Sequence, residues 1–307
     1  MSPAPASAEE IRDVNTRYHD GAADAYDAKW GIDFGAIGRT QVLGKLRKAL
    51  DGDLRTFGRG LELGAGTGYF SLNLLQAGVI REATCTDISP GMVAALQRNA
   101  RDLDLDVDAR VADAEALPFE DASFDLVFGH AVLHHLPDLD QAWREIHRVL
   151  APGGLAVFAG EPSRYGDRLA NVPKRAASKV APAWRRVMRA RPAQEGHQDG
   201  GAHNHQLESM VDVHAFTPEQ LQRGPQAAGF ADVRVRGEEL LANWFGWANR
   251  ALEATADPDT VPYAWKLYAF KGYVGLQHVD RVLLESRLPP AIFYNLMVTA
   301  QKAGPPR

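Results

Sequence analysis

The chain has 307 residues, of which 45% are hydrophobic and 24% charged, and its formal net charge is −5. These values suit a soluble globular protein and exclude the chain-wide basic footprint of a nucleic-acid binder. Cys85 is the sole cysteine, so no intrachain disulfide can form, and with no secretory signal and no apolar run of about 20 residues a cytoplasmic location is expected.

Residues 1–8 hold Pro, Ala and Ser with no core-forming side chain and are expected to lack structure. From about residue 60 strand and helix signals alternate. Leu61–Leu63 reads as a short strand running into a Gly-rich turn, and Phe70–Ala77 as a helix that Gly78 stops. Ala83–Thr86 is a second strand, and Ser89-Pro90 opens a helix with Ser at the N-cap and Pro at N1. Val107–Val111 and Phe124–Phe128 are the third and fourth strands. Leu139, Trp143, Ile146 and Leu150 recur at helical spacing, and Pro152-Gly153-Gly154 turns into a fifth strand, Leu155–Ala159. This alternation predicts a doubly wound parallel sheet with helices on both faces.

Beyond residue 160 the composition changes. Residues 161–216 are rich in Pro, Arg, Gly and His, with no acid between Asp167 and Glu195 and seven basic residues from Lys174 to Arg191. Thr217–Gln220 starts another helix, Val233–Val235 is a strand, residues 238–288 read as helical and aromatic-rich, and Ile292–Gln301 is the final strand. The expected division is a structureless 1–8, an N-terminal helical cap over 9–58, a binding core over 59–160, a lid insertion over 161–216, core again over 217–237, a helical substrate insertion over 238–290, and the last strand and tail over 291–307.

Gly64, Gly66 and Gly68 lie between a strand and a helix, where glycine lets the backbone turn tightly and approach a ligand. The spacing is G-x-G-x-G, not the G-x-G-x-x-G of dinucleotide loops, and Glu62 precedes it. A carboxylate there would repel a pyrophosphate and suit an ammonium. Asp87, at the end of the second strand, is placed to accept from two ribose hydroxyls. Asp113-Ala114, after the third strand, is placed to read the edge of an adenine. All three positions fall at C-terminal strand ends, where ligands bind in such sheets.

As an ordered set, LELGAGTG (61–68), TDISPGM (86–92), DAEALPF (113–119), FDLVFGHAVLHHL (124–136) and RVLAPGGLAVF (148–158) closely resemble class I S-adenosylmethionine (SAM)-dependent methyltransferases. The nearest branch contains the ubiquinone and menaquinone C-methyltransferases and many natural-product and lipid methyltransferases. The resemblance implies a Rossmann-like seven-stranded sheet of order 3-2-1-4-5-7-6 with the last strand antiparallel, carrying helical lid insertions after strand 5 and between strands 6 and 7. It implies SAM as cofactor, with Glu62, Gly64, Ala65, Gly66 and Gly68 at its methionine part, Asp87 and Ile88 at the ribose, Asp113 and Ala114 at the adenine, and His130 near the donor methyl. Tyr18, Tyr26 and Trp30 would cover the cofactor from the N-terminal segment.

His130, His134 and His135 are the candidate general bases, with Glu161 at the end of strand 5 a further candidate. No metal is expected: His197, His203, His205 and His214 lack a tight ligand pattern, and a mobile lid is the preferred reading. Val180, Trp184, Val187 and Met188 are spaced to share a helical face, which with the basic residues of 174–191 would allow peripheral membrane contact. The aromatic 240–276 region points to a bulky apolar or aromatic small-molecule acceptor such as a quinone, polyketide or lipid, with no nucleic-acid partner. The competing readings are a macromolecular methyltransferase and a non-catalytic SAM sensor or scaffold.

Overall fold

The structure, a computed structural model, describes residues 7–27, 31–193 and 213–304. Trp30, His197, His203 and His205 lie outside the described residues, as do 1–6. Ser7 and Ala8, expected to be structureless, instead begin helix α1 (Ala8–Ala22). The Ser7 side chain accepts from the Glu10 amide while Glu10 reaches back to the Ser7 amide, a reciprocal cap that organises the first turn.

A seven-stranded sheet forms the body. Its strands are β1 (Phe57–Leu63), β2 (Ile80–Asp87), β3 (Asp108–Val111), β4 (Phe124–His130), β5 (Leu150–Pro162), β6 (Ala231–Glu238) and β7 (Asn295–Gln301). Their order is β3-β2-β1-β4-β5-β7-β6, with β1 to β5 parallel and β7 antiparallel to both neighbours, as the resemblance implied. The connecting helices are α2 (Ala36–Ala49), α3 (Tyr69–Gln76), α4 (Pro90–Asp102), α5 (Leu139–Val149), α6 (Arg164–Met188) and α7 (Pro218–Ala227). Between β6 and β7 lie α8 (Leu241–Glu253) and α9 (Tyr263–Val279).

Both faces of the sheet are covered. On one, Trp143 of α5 is fully buried and meets Phe158 and Phe230 edge-on at 5.4 and 5.9 Å. On the other, Val42 and Leu46 of α2 and Leu74 of α3 pack against Ile80, Leu126 and Val157. β1 begins four residues earlier than expected because two glycines hide the strand pattern. A Cβ at Gly60 would stand 3.1 Å from Ile80 and 3.3 Å from Phe128, so large neighbouring side chains fill that space. The turn expected at 152–154 is an irregularity inside β5, whose register against β4 shifts between Leu150 and Leu155.

α6 is one continuous helix despite Pro173 and Pro182. It packs on α8 through Ala177, Ala181 and Trp184, with Met188 partly buried against them, while Val180 and Val187 are exposed. The four side chains expected to share a face therefore straddle the boundary between a packed stripe and a solvent stripe. Their spacing is helical, but the inner stripe is set by Ala177 and Ala181, whose small side chains let α8 approach.

Buried ion pairs tie α2 to the far edge of the sheet. The Lys45 ammonium lies 3.4 Å from both Glu238 and Glu239, and the Lys48 ammonium 3.2 Å from Glu238 and 2.9 Å from Glu285. Burial works to raise the fully buried Glu238, but Lys45 and Lys48 outweigh it and hold the carboxyl down at about 2. Its ionised form is therefore favoured in the folded state. The stabilisation is present above the ordinary carboxylate range and is lost as pH falls towards 2. Glu238→Gln leaves two buried cations short of a counter-charge, although Glu239 and Glu285 remain. The expected cost is about 3 kcal/mol, the lower end for breaking a buried pair. Denaturant unfolding at neutral pH checks this, and the difference from wild type should shrink in acid.

Candidate active site

The C-terminal ends of β1, β2, β3 and β4 open onto one cavity of about 1320 Å³. That exceeds the usual 300–1,000 Å³ of a pocket for one small ligand. The cavity runs from Asp87 and Asp113 at the strand ends to Trp247 of α8 and Tyr273 of α9.

Loop 64–68 leaves β1 with Gly64 and Gly66 both at positive φ. At Gly64 a Cβ would stand 2.4 Å from Val132, so the loop after β4 closes on bare backbone there. The Asp87 carboxylate, almost fully buried, accepts from the Gly66 amide at 2.8 Å and the Ser89 amide at 2.9 Å. It thereby fastens the β1 loop to the start of α4. A carboxylate has about four acceptor sites, so these two bonds do not exhaust it. Burial pushes Asp87 above the ordinary carboxylate range, and its charge in turn helps burial hold the neighbouring Tyr26 phenol up at about 12.

Glu62 is turned away from the cavity. Its carboxylate accepts from the Ser71 amide at 2.9 Å and from the Ser71 hydroxyl, at the first turn of α3. Burial raises it to about 8 in spite of those bonds. Ala65 and Gly68 also sit behind the lining. The other expected site residues, Tyr18, Tyr26, Gly64, Gly66, Asp87, Ile88, Asp113, Ala114, His130, His134 and His135, all line it.

α1 is clamped over the β3 end, where the Arg12 guanidinium lies 2.8 Å from Asp113 and also pairs with Glu115. Asp20 accepts from the Gly91 amide at 2.8 Å and from the Ser89 hydroxyl. Tyr18 and Tyr26 are carried to the cavity by this clamp.

His130 ends β4. Its ring stacks on Phe70 at 4.9 Å and lies over Gly160, whose missing side chain makes room for it. Burial, helped by the charge of Lys45, lowers His130 to about 4, so the imidazole is neutral at physiological pH. His134 differs. Its Nδ1 is 2.8 Å from the fully buried Glu161, whose carboxylate also accepts from the amides of Val132, Leu133 and His134 at 3.0–3.1 Å. Glu161 is thus spent on holding the loop after β4. His135 packs between His134 and His19 at ring distances of 3.9 and 5.6 Å. His214 reaches the Leu136 carbonyl at 3.0 Å, and no cluster of metal-ligating side chains exists among the described residues.

The sequence reading missed the opposite wall. Glu239 stands just past β6 with a left-handed backbone, φ 59°. Its carboxylate accepts from the Tyr273 hydroxyl at 2.7 Å and the Gln277 amide at 3.1 Å, beside Lys45. Lys45 keeps it ionised against burial, and burial together with Glu239 raises the Tyr273 phenol. The available signal was the acid pair Glu238-Glu239 at a strand end, the rule that found Asp87. Nothing local marks Arg12 or Lys45.

The chain matches the family model described as a methyltransferase domain over residues 61–158. It is 31% identical to malonyl-(acyl-carrier protein) O-methyltransferase of Methylococcus capsulatus, the match covering 72% of this chain and 78% of that relative. It is 35% identical to demethylmenaquinone methyltransferase of Thermus thermophilus, covering 56% and 73%. Phosphoethanolamine N-methyltransferase 2 of Haemonchus contortus, solved with S-adenosylhomocysteine, superposes with a TM-score of 0.60 at 19% identity, over 98% of this chain and 61% of that one. The chain therefore belongs to the class I SAM-dependent methyltransferases, and its methyl donor is SAM.

Proposed function

We propose that the cavity binds SAM at its β1–β2–β3 end and a bulky apolar or aromatic small molecule, such as a quinone, polyketide or lipid, at its α8–α9 end. The observation that carries this is the continuity of one cavity from Asp87 to Trp247 and Tyr273, too large for a single ligand. The residues present fit the cofactor. Asp87 keeps acceptor sites for two ribose hydroxyls after bonding Gly66 and Ser89, with Ile88 beside it. Asp113 and Ala114 are held by Arg12 at the adenine end. Gly64 and Gly66 present bare backbone to the methionine part, while Glu62 acts indirectly by fixing Ser71 and the start of α3. Tyr18 and Tyr26 form the cover, and Ala65 and Gly68 shape the loop from behind.

Bound SAM supplies a methyl already activated by the sulfonium, so the protein's main task is orientation, worth about 7–11 kcal/mol when good. His130 is the group we assign to any proton removed from the acceptor, because its imidazole is neutral and lines the cavity. His134 and His135 position the loop beneath it. The α8–α9 pair lines the acceptor end, with α6 packed on α8 outside it. A peripheral contact through 174–191 would use Val180 and Val187 with Lys179 and Arg186, the exposed side of α6.

A second reading is favoured by a cation on the wall. Arg250 lines the cavity beside Trp247 and would suit an acidic acceptor, and the Methylococcus relative is named for malonyl-(acyl-carrier protein). Radiolabel transfer from SAM to a panel of quinones, phenols and malonyl thioesters separates the two. Labelling of none of these, with label going instead into protein or nucleic acid, rejects both. SAM binding with no labelled product of any kind supports a sensor or scaffold.

Asp87→Ala should weaken SAM about 10- to 100-fold, the range for hydrogen bonds to a charged group, with circular dichroism unchanged. Calorimetric titration checks this, and undiminished affinity would reject the ribose assignment. His130→Ala should lower kcat by about 10²- to 10⁴-fold for an acceptor that loses a proton, with SAM affinity preserved. In the wild type the neutral imidazole persists well below the usual histidine range. The pH–rate profile should stay flat from neutrality down to within about a unit of pH 4. An acid limb near the ordinary histidine value would overturn the assignment.

A further inference from the structure

Exposed apolar side chains are concentrated on the helical part of the molecule. Among the described residues, five of the large ones lie on α6 and seven on residues 263–283, against two elsewhere. α9 buries none of its residues. Tyr263, Leu267, Phe270 and Val274 follow one another at 4-, 3- and 4-residue spacing and form a single stripe, each 36–78% exposed. Val282 and Leu283, in the single π-helical turn Asp280–Leu284 that follows, are half exposed.

The charge of this surface is one-sided. Lys266, Lys271, Arg281 and Arg287 are exposed. Of the two acids between residues 261 and 287, Asp280 is buried and accepts from the amides of Leu241 and Ala242 at 3.0 and 2.9 Å, and Glu285 is paired with Lys48. The chain as a whole carries −5, so this local excess of cations stands against the overall balance. A second copy would bring the same cations to the same stripe, which disfavours self-pairing. No helix among the described residues is long and apolar enough to cross a membrane. An apolar stripe flanked by lysine and arginine suits instead the interface of an anionic bilayer.

The stripe also leads inward. Phe270 and Val274 are exposed and at the same time line the cavity, as does Arg281. We propose that α9 and the turn 280–284 dock the enzyme on an anionic lipid surface, with the mouth of the cavity opening onto the bilayer. The docking stands on the surface alone. That an amphiphilic acceptor enters from the lipid rests on the proposed small-molecule acceptor.

The test is co-sedimentation of the full chain with vesicles of phosphatidylcholine alone and of phosphatidylcholine mixed with phosphatidylglycerol. Binding to the mixed vesicles only, weakened by salt, is expected. Lys266→Gln and Lys271→Gln should each weaken it roughly fivefold. Tyr263→Asp combined with Leu267→Asp should abolish it, while S-adenosylhomocysteine binding shows that the variant is folded. No binding to mixed vesicles, or equal binding by wild type and variants, overturns the proposal. So does sedimentation velocity that reveals a dimer dissolved by Leu267→Asp, with vesicles ignored, since the stripe would then belong to a second copy.

Discussion

A parallel sheet ends its strands in loops whose amides have no partner in the ladder, and at a buried edge those amides must be satisfied or the edge cannot close. Three buried carboxylates meet this need here. Asp87 takes the amides of Gly66 and Ser89, Glu161 takes those of Val132, Leu133 and His134, and Glu62 takes that of Ser71. Each bonds a loop or helix start belonging to a different stretch of chain, so together they lock the loops after β1, β2 and β4 into one rigid rim. The cavity is the space that this rim surrounds. The same demand explains why carboxylates are concentrated at this edge without all facing the ligand.

That distinction marks how far the site was legible in the sequence. Asp87, Asp113 and the 64–68 glycines lie within a few residues of strand ends whose positions follow from local patterns, and all of them except Gly68 come to the cavity wall. Glu62 and Glu161 also sit at strand ends, yet both point to backbone amides. Strand position alone does not distinguish a carboxylate that faces a ligand from one that satisfies the rim. His134 and His130 divide in the same way. The sequence places both after the fourth strand, and only the fold shows that one is tied to Glu161 while the other lies neutral between Phe70 and Gly160.

Strand number and the doubly wound layout were readable because they depend on alternation over long stretches, whereas the sheet order was implied by the family resemblance alone. Strand ends were not readable, since Gly58 and Gly60 look like loop residues until Asp125 is seen beside the first and Ile80 and Phe128 beside the second. The opposite wall was hidden for a stronger reason. Lys45 meets Glu238 across 193 residues of chain and Glu239 across 194. Tyr273 joins them from a helix whose only sequence mark was a high aromatic content. Such a cluster exists only once β6 has been laid beside β7 and α2 folded across the sheet, so no window of sequence contains it.

The ion cluster also connects the two ends of the cavity physically. α2 packs through Val42 and Leu46 on the face that carries β1 and β4, while its Lys45 and Lys48 hold Glu238, Glu239 and Glu285 beside α8 and α9. Burying two ammonium groups with three carboxyl groups is costly unless every partner keeps its place. The geometry of the α8–α9 wall is therefore coupled to the rim at the strand ends. No residue of α9 is fully buried, yet Tyr273 and Gln277 are bonded to Glu239 within this same cluster. Its inner side is fixed by these polar contacts together with Trp265 packed on Trp184, while Tyr263, Leu267, Phe270 and Val274 stay apolar and exposed. A helix held by one side does not need the opposite apolar stripe for folding, which leaves that stripe available for an encounter at the mouth of the cavity.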